Sequence, residues 1–107
     1  MAMKPFIVKL NDDDEFQKLF DGPPDTVGFH SGRVVLKPGQ SHNKHNTKRY
    51  EEIIIVIEGE GQALSKDDLP MELSKGIIAY IPPHTEHNVK NTGKTNLKYI
   101  YIVSPTE

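Results

Sequence analysis

The sequence predicts an all-β domain, a sandwich or barrel of short strands, and three observations carry that prediction. Four apolar, largely β-branched runs recur along the chain. Gly, Pro, Asn and Asp punctuate the chain between them, and only one short stretch offers helical spacing. The first run, Arg33-Val34-Val35-Leu36-Lys37, alternates in part and ends on the turn pair Pro38-Gly39. The second, Ile53-Ile54-Ile55-Val56-Ile57, is closed by Glu58-Gly59-Glu60-Gly61. Gly76 to Ile81 ends at Pro82-Pro83, and Leu97 to Val103 runs up to Pro105. The helical stretch is Asp12 to Phe20, where Phe16, Leu19 and Phe20 share one face and acidic residues occupy the first turn, the end that the helix dipole favours. Asp21-Gly22-Pro23-Pro24-Asp25 then reads as a linking loop.

Composition narrows the function classes. A chain of 107 residues is the length of one domain, and 36% hydrophobic content is too apolar for disorder. The 13 Lys and Arg are interspersed with 15 Asp and Glu, giving a net charge of -2 and no basic stripe for nucleic acid. No apolar run approaches the roughly 18–20 residues of a membrane helix. Met1 to Leu10 carries Pro5 and two lysines inside its short apolar stretch, so it does not read as a signal peptide; the cytoplasm is the expected compartment. With no cysteine, disulfides, thiolate metal sites and cysteine nucleophiles are excluded. Ile53 to Ile57 and Tyr99 to Val103 are apolar on both strand faces. One face lines the interior and the other needs a cover, from the N-terminal segment or from a second copy. A homodimer packed through sheet faces is the expected answer.

Four of the five histidines fall in two close pairs, His42 with His45 and His84 with His87. Residues two apart on a strand share a face, so Glu52 goes with Ile54 and Val56, and His87 goes with Val89. If these faces and that of His45 look into one barrel, His45, Glu52 and His87 converge. Two imidazoles and a carboxylate can form a facial triad with open positions, suited to one divalent Fe, Mn, Ni or Zn ion. Taken singly, each histidine could equally be a hydrogen-bonded interior residue, and Glu52 could pair with Lys48 or Arg49 at the surface. Glu51, the rival carboxylate, takes the opposite face by strand phase.

Here the sequence resembles the cupin superfamily. The first cupin motif has a Gly, five residues, His-x-His, three or four residues, a Glu, six residues and a Gly. Gly39, His45, Glu52 and Gly59 fall at these places, with Thr47 where the second histidine belongs. The second motif is matched by Gly76, Pro82, His87 and Asn91, with His84 in place of the turn glycine. The resemblance implies a cupin-type double-stranded β-helix, a jelly-roll barrel with its core at about residues 27–104 and an N-terminal arm and short helix over 1–25. It also implies a metal held by His45, Glu52 and His87. Thr47, whose neutral hydroxyl is a poor ligand, leaves either a three-ligand site with an extra open position or a weakened, vestigial one.

His42 and His84 each lie three residues before a proposed ligand, the opposite face of a regular strand. His84 follows Pro82-Pro83 and could swing toward the cavity as a substitute ligand, general base or substrate contact, with an exposed loop histidine as the alternative. His42 reads as an exposed loop residue. Tyr99 and Tyr101 alternate with Ile100 and Ile102, so a tyrosine lines the cavity or packs in the core; Tyr101 is the second acid–base candidate beside His84. Asn91 reads as a turn stabiliser. Two function classes follow: a metal-dependent enzyme acting on a small organic metabolite, or a non-catalytic small-molecule binding or sensing module. A structural zinc site made from the two His-x-x-His pairs conflicts with strand phase.

Overall fold

The computed structural model describes residues 3–107. Among the described residues nine strands form: β1 (Gln17–Asp21), β2 (His30–Leu36), β3 (His45–Asn46), β4 (Tyr50–Glu58), β5 (Glu60–Ser65), β6 (Met71–Ser74), β7 (Ile78–Ile81), β8 (Glu86–Asn91) and β9 (Leu97–Pro105). They make two sheets, one ordered β1-β2-β9-β4-β7 and the other β3-β8-β5-β6, with every pairing antiparallel. The period-two rule explains what fills the space between them. Val34 and Leu36, Ile54 and Val56, Ala79 and Ile81, and Leu97 and Tyr99 face inward from the larger sheet. Ala63, Leu73 and Val89 meet them from the smaller one. The intervening residues Ile53, Ile55, Ile100 and Ile102 point to the outer face of the five-stranded sheet.

All four apolar runs become strands, and the all-β expectation holds. The short helix over Asp12 to Phe20 does not form; among the described residues there is no helix. The reason is local hydrogen bonding. Asn11 Oδ1 accepts the Asp13 N–H at 3.3 Å and Asp13 Oδ1 accepts the Glu15 N–H at 3.0 Å, so side chains capture the backbone donors at a helix start. Arg33, buried on β2, then clamps the segment through the Asn11 and Glu15 carbonyl oxygens at 2.6 and 2.8 Å and through the Asn11 and Asp13 side chains. From Gln17 onward the chain pairs with β2 as a strand. A stretch of about nine residues is too short to hold a helix against such competitors.

Gly59, between β4 and β5, sits at φ +88, and a Cβ there would collide with the Asn96 carbonyl oxygen. That turn therefore requires glycine. His84 takes the left-handed conformation, φ 56, at the position where the cupin motif has glycine. Histidine is among the residues that tolerate it. Asn91 is buried and holds its turn, donating to the Leu36 and Thr95 carbonyls at 2.9 and 2.8 Å and accepting the Gly93 N–H at 2.8 Å.

Candidate metal centre

The two sheets bring together three of the residues that the sequence singles out. His45 on β3 and His87 on β8 are direct cross-strand partners, with ring centroids 4.3 Å apart. Glu52 enters from β4 of the opposite sheet, in phase with Ile54 and Val56 as strand alternation requires. Its Oε1 lies 3.2 Å from His87 Nε2 and 3.7 Å from His45 Nε2. One ligand atom from each residue lies within 4.8 Å of the others. Glu51 takes the other face, where its carboxylate accepts the Tyr80 hydroxyl at 2.9 Å.

The imidazoles are oriented by backbone. Nδ1 of His87 faces the Thr85 carbonyl and Nδ1 of His45 faces the Asn43 carbonyl, each at 3.3 Å. A carbonyl can only accept, so these contacts place a proton on each Nδ1 and turn both Nε2 atoms toward Glu52. His87 Nε2 is buried and makes no aligned hydrogen bond despite its 3.2 Å separation from the carboxylate. An unprotonated Nε2 beside a carboxylate oxygen sets two lone pairs against each other. A cation between them, proton or metal, resolves that repulsion. Burial depresses the His87 pKa, but the Glu52 carboxylate and the Thr85 carbonyl outweigh it and leave it above the ordinary histidine value.

Thr47 is buried and its hydroxyl is committed elsewhere. It donates to the Pro82 carbonyl at 2.8 Å and accepts the Thr85 N–H at 3.0 Å, pinning the turn that leads into β8. His84 lies on that turn, exposed and outside the cavity lining, its N–H donated to the Lys48 carbonyl at 2.8 Å. Tyr101 is half-buried and lines the cavity, with burial, then Glu52 and Asp21, raising its pKa. Tyr99 is buried, and burial followed by the Glu52 carboxylate raises its pKa strongly.

His42 is an exposed loop residue, as the sequence reading has it, but its side chain joins the cavity lining, which that reading did not foresee. Its Nδ1 lies 3.3 Å from the Tyr99 hydroxyl, and its ring centroid is 5.7 Å from that of His45. Burial lowers its pKa, and the neighbouring His45 and His87 act in the same direction against Glu52. Strand phase failed as a guide because His42 stands on an irregular segment, docked to β8 by its N–H on the Val89 carbonyl at 2.8 Å. His30, which had no assigned role, stands at the cavity wall with its ring edge-on to Tyr50. The cavity holds about 520 Å³ between the His45–Glu52–His87 group and a wall of Tyr50, Tyr101 and Val103. Lys44 also lines it, whereas Arg49 is engaged by the Glu107 carbonyl and the Tyr50 hydroxyl.

Two facing antiparallel sheets make the jelly-roll barrel of the double-stranded β-helix class, and at its cavity a buried Glu52 and His87 meet His45, whose side chain is 46% exposed. The cupin domain model matches residues 32–103, and the chain belongs to that family. It is 40% identical over 63 residues to the uncharacterized protein MJ1618 of Methanocaldococcus jannaschii, covering 59% of this chain and 48% of that protein. It is 29% identical over 85 residues to protein SchB of Streptomyces halstedii, covering 77% of this chain and 61% of that one. The chain thus matches less than two thirds of the length of either relative. An RmlC-like cupin family protein with a double-stranded β-helix fold from M. jannaschii superposes with a TM-score of 0.79 at 21% identity, over 98% of this chain and 94% of that one. Among the described residues no helix is long and apolar enough to cross a membrane.

Proposed function

We propose that this cupin holds one divalent transition metal on His45, Glu52 and His87 and acts on a small organic metabolite in the barrel cavity as a metal-dependent enzyme. The observation that carries the metal is the buried Nε2 of His87, aimed at a buried carboxylate with no aligned partner. The donor set, two imidazoles and a carboxylate, suits Fe, Mn, Ni or Zn. Bound there, such an ion would supply Lewis acidity to an oxygen of the metabolite. The chain's own residues do the rest. The Asn43 and Thr85 carbonyls hold the two imidazoles in the tautomer that offers Nε2. Tyr101 lines the cavity, and His42 with Tyr99 forms a polar contact on its wall. His84, outside the lining, is given no contact with the metabolite.

A non-catalytic binding module is the second reading, and one observation favours it. Burial, then the Glu52 carboxylate, raises the pKa of both Tyr99 and Tyr101, which leaves neither hydroxyl suited to give up its proton near neutral pH. Reconstitution with each of the four metals, followed by elemental analysis, tests the shared premise. One ion per chain is expected, lost in His45→Ala and His87→Ala; no stoichiometric metal refutes it. Mass spectrometry of a metabolite extract incubated with the loaded protein then separates the readings. Conversion supports the enzyme, and enrichment of an unchanged compound supports the binding module.

A further inference from the structure

His42, His45 and His87 have their tautomers set by different partners. The Nδ1 atoms of His45 and His87 face carbonyl oxygens, which leaves their Nε2 atoms bare toward Glu52. Nδ1 of His42 faces a hydroxyl instead, that of Tyr99 at 3.3 Å. Tyr99 is only 2% exposed, and among the described residues His42 Nδ1 is the one hydrogen-bond partner of its hydroxyl. A buried hydroxyl proton needs an acceptor, so Tyr99 donates and Nδ1 accepts. In the neutral ring of His42 the proton therefore sits on Nε2, the reverse of its two neighbours.

That N–H holds no part of the fold together. His42 lines the cavity from an exposed loop, and its Nε2 has no hydrogen-bond partner among the described residues. Lys44, two residues on, lines the same cavity and belongs to no ion pair among the described residues. Tyr50, Tyr101, Val89 and Val103 add an apolar part to the lining, and the space of about 520 Å³ falls within the roughly 300–1,000 Å³ of small-molecule sites. The donors present select among anions. Phosphate is gripped by an arginine fork or by the N–H groups of a helix start. Arg49 is engaged by the Glu107 carbonyl and the Tyr50 hydroxyl, and the described residues contain no helix. One imidazole N–H and one ammonium suit the smaller charge of a carboxylate.

We propose that His42, turned by Tyr99 into a fixed Nε2–H donor, and Lys44 receive the carboxylate of an organic acid whose apolar or aromatic body rests on the tyrosine and valine wall. The inference rests on the proposed function in taking the same cavity for the ligand, and it names that ligand's class. His42 gives the carboxylate a directed hydrogen bond, and Lys44 meets its charge. Tyr99 is a positioning residue: it acts through His42, by holding the ring in the tautomer that keeps a proton on Nε2.

Two measurements on the full chain test this. Proton–nitrogen NMR correlation of the imidazoles, on metal-free protein in neutral buffer, should show the His42 proton on Nε2, and Tyr99→Phe should release it to a mixture of tautomers. A proton fixed on Nδ1, or a spectrum that Tyr99→Phe leaves unchanged, overturns the role of Tyr99 and His42. Calorimetric titration of zinc-loaded protein with benzoate should show binding, with benzamide and phenyl phosphate at least ~tenfold weaker. His42→Ala and Lys44→Ala change exposed side chains and leave the fold intact. Each should weaken benzoate at least ~tenfold with zinc stoichiometry unchanged, and His42→Gln, which keeps an N–H, should recover part of the loss. No benzoate binding, equal affinity for benzamide, or indifference to His42→Ala overturns the proposal. Protein that takes up no zinc refutes the metal centre alone, because benzoate titration of the metal-free protein and its two alanine variants still decides the carboxylate site.

Discussion

Thr47→Val isolates what the hydroxyl at the altered motif position does. Valine keeps the shape and volume of threonine, so no cavity opens, but both hydrogen bonds of Oγ1 are lost. Each is worth about 1 kcal/mol net, and the buried Pro82 carbonyl and Thr85 N–H left behind add their desolvation, for a total of about 2–4 kcal/mol. In a domain of this size that lowers Tm by roughly 10–20 °C. Thr47→Ser keeps both bonds and loses one methyl, so its cost stays below about 1 kcal/mol. The melts are run on chelator-treated protein, so that bound metal does not mask the loss. Thr85 also supplies the carbonyl that orients His87, so metal affinity of the valine variant is expected to fall about tenfold while serine retains it. A valine variant within about 0.5 kcal/mol of the parent, or one that binds metal as tightly, would refute this account of Thr47.

Three further outcomes are expected. Asn91→Ala removes three hydrogen bonds from a side chain that is 1% exposed, and should lower unfolding free energy in urea by about 3 kcal/mol; a loss under about 1 kcal/mol would mean water replaces the amide. Gly59→Ala forces a Cβ into the Asn96 carbonyl at a positive φ and should cost at least about 2 kcal/mol, read as a fall in Tm; an unchanged Tm would show that the turn can rearrange. Metal affinity, measured by chelator competition, should rise with pH: burial lowers the His87 pKa, Glu52 and Thr85 more than reverse that, and the metal must displace the resulting proton. Below that raised pKa the affinity should change by about tenfold per pH unit for the one competing proton, and a flat profile would remove His87 Nε2 from the ligand set.

How much of this was legible in the sequence depends on how each feature writes itself. β2, β4, β7 and β9 were readable because both faces or one face of each is apolar, in β-branched residues bounded by Gly or Pro. β5 and β6 were not. Apart from Ala63, Leu64, Met71 and Leu73 they carry polar side chains, and their hairpin is closed by cross-strand pairing that composition does not display. The segment from Asp12 to Phe20 misled because its three aromatic and aliphatic residues fit a helical face, while the decisive partner, Arg33, lies 18 to 22 residues away in sequence. Glu52 was legible for the opposite reason: period-two phase along β4 fixes its direction whatever the partner.

The same contrast explains the histidines and gives Thr47 its meaning. His87 stands on a regular strand, so phase finds it; His42 stands on a docked loop, where phase has no force and only the tertiary contact with Tyr99 reveals its direction. Where the cupin motif has a second imidazole, this chain has a hydroxyl whose bonding capacity goes to the turn beneath His87. The exchange gives up a donor and gains a brace for a donor that remains. Its electrostatic consequence follows directly. A divalent ion on two neutral imidazoles and one carboxylate would keep a net charge of +1, with fewer protein donors to fill its coordination positions. An anionic oxygen of a bound small molecule can neutralise that charge, and the Lys44 ammonium on the cavity lining favours the same sign of ligand. On the proposed metal site, the departure from the motif would favour an anionic ligand.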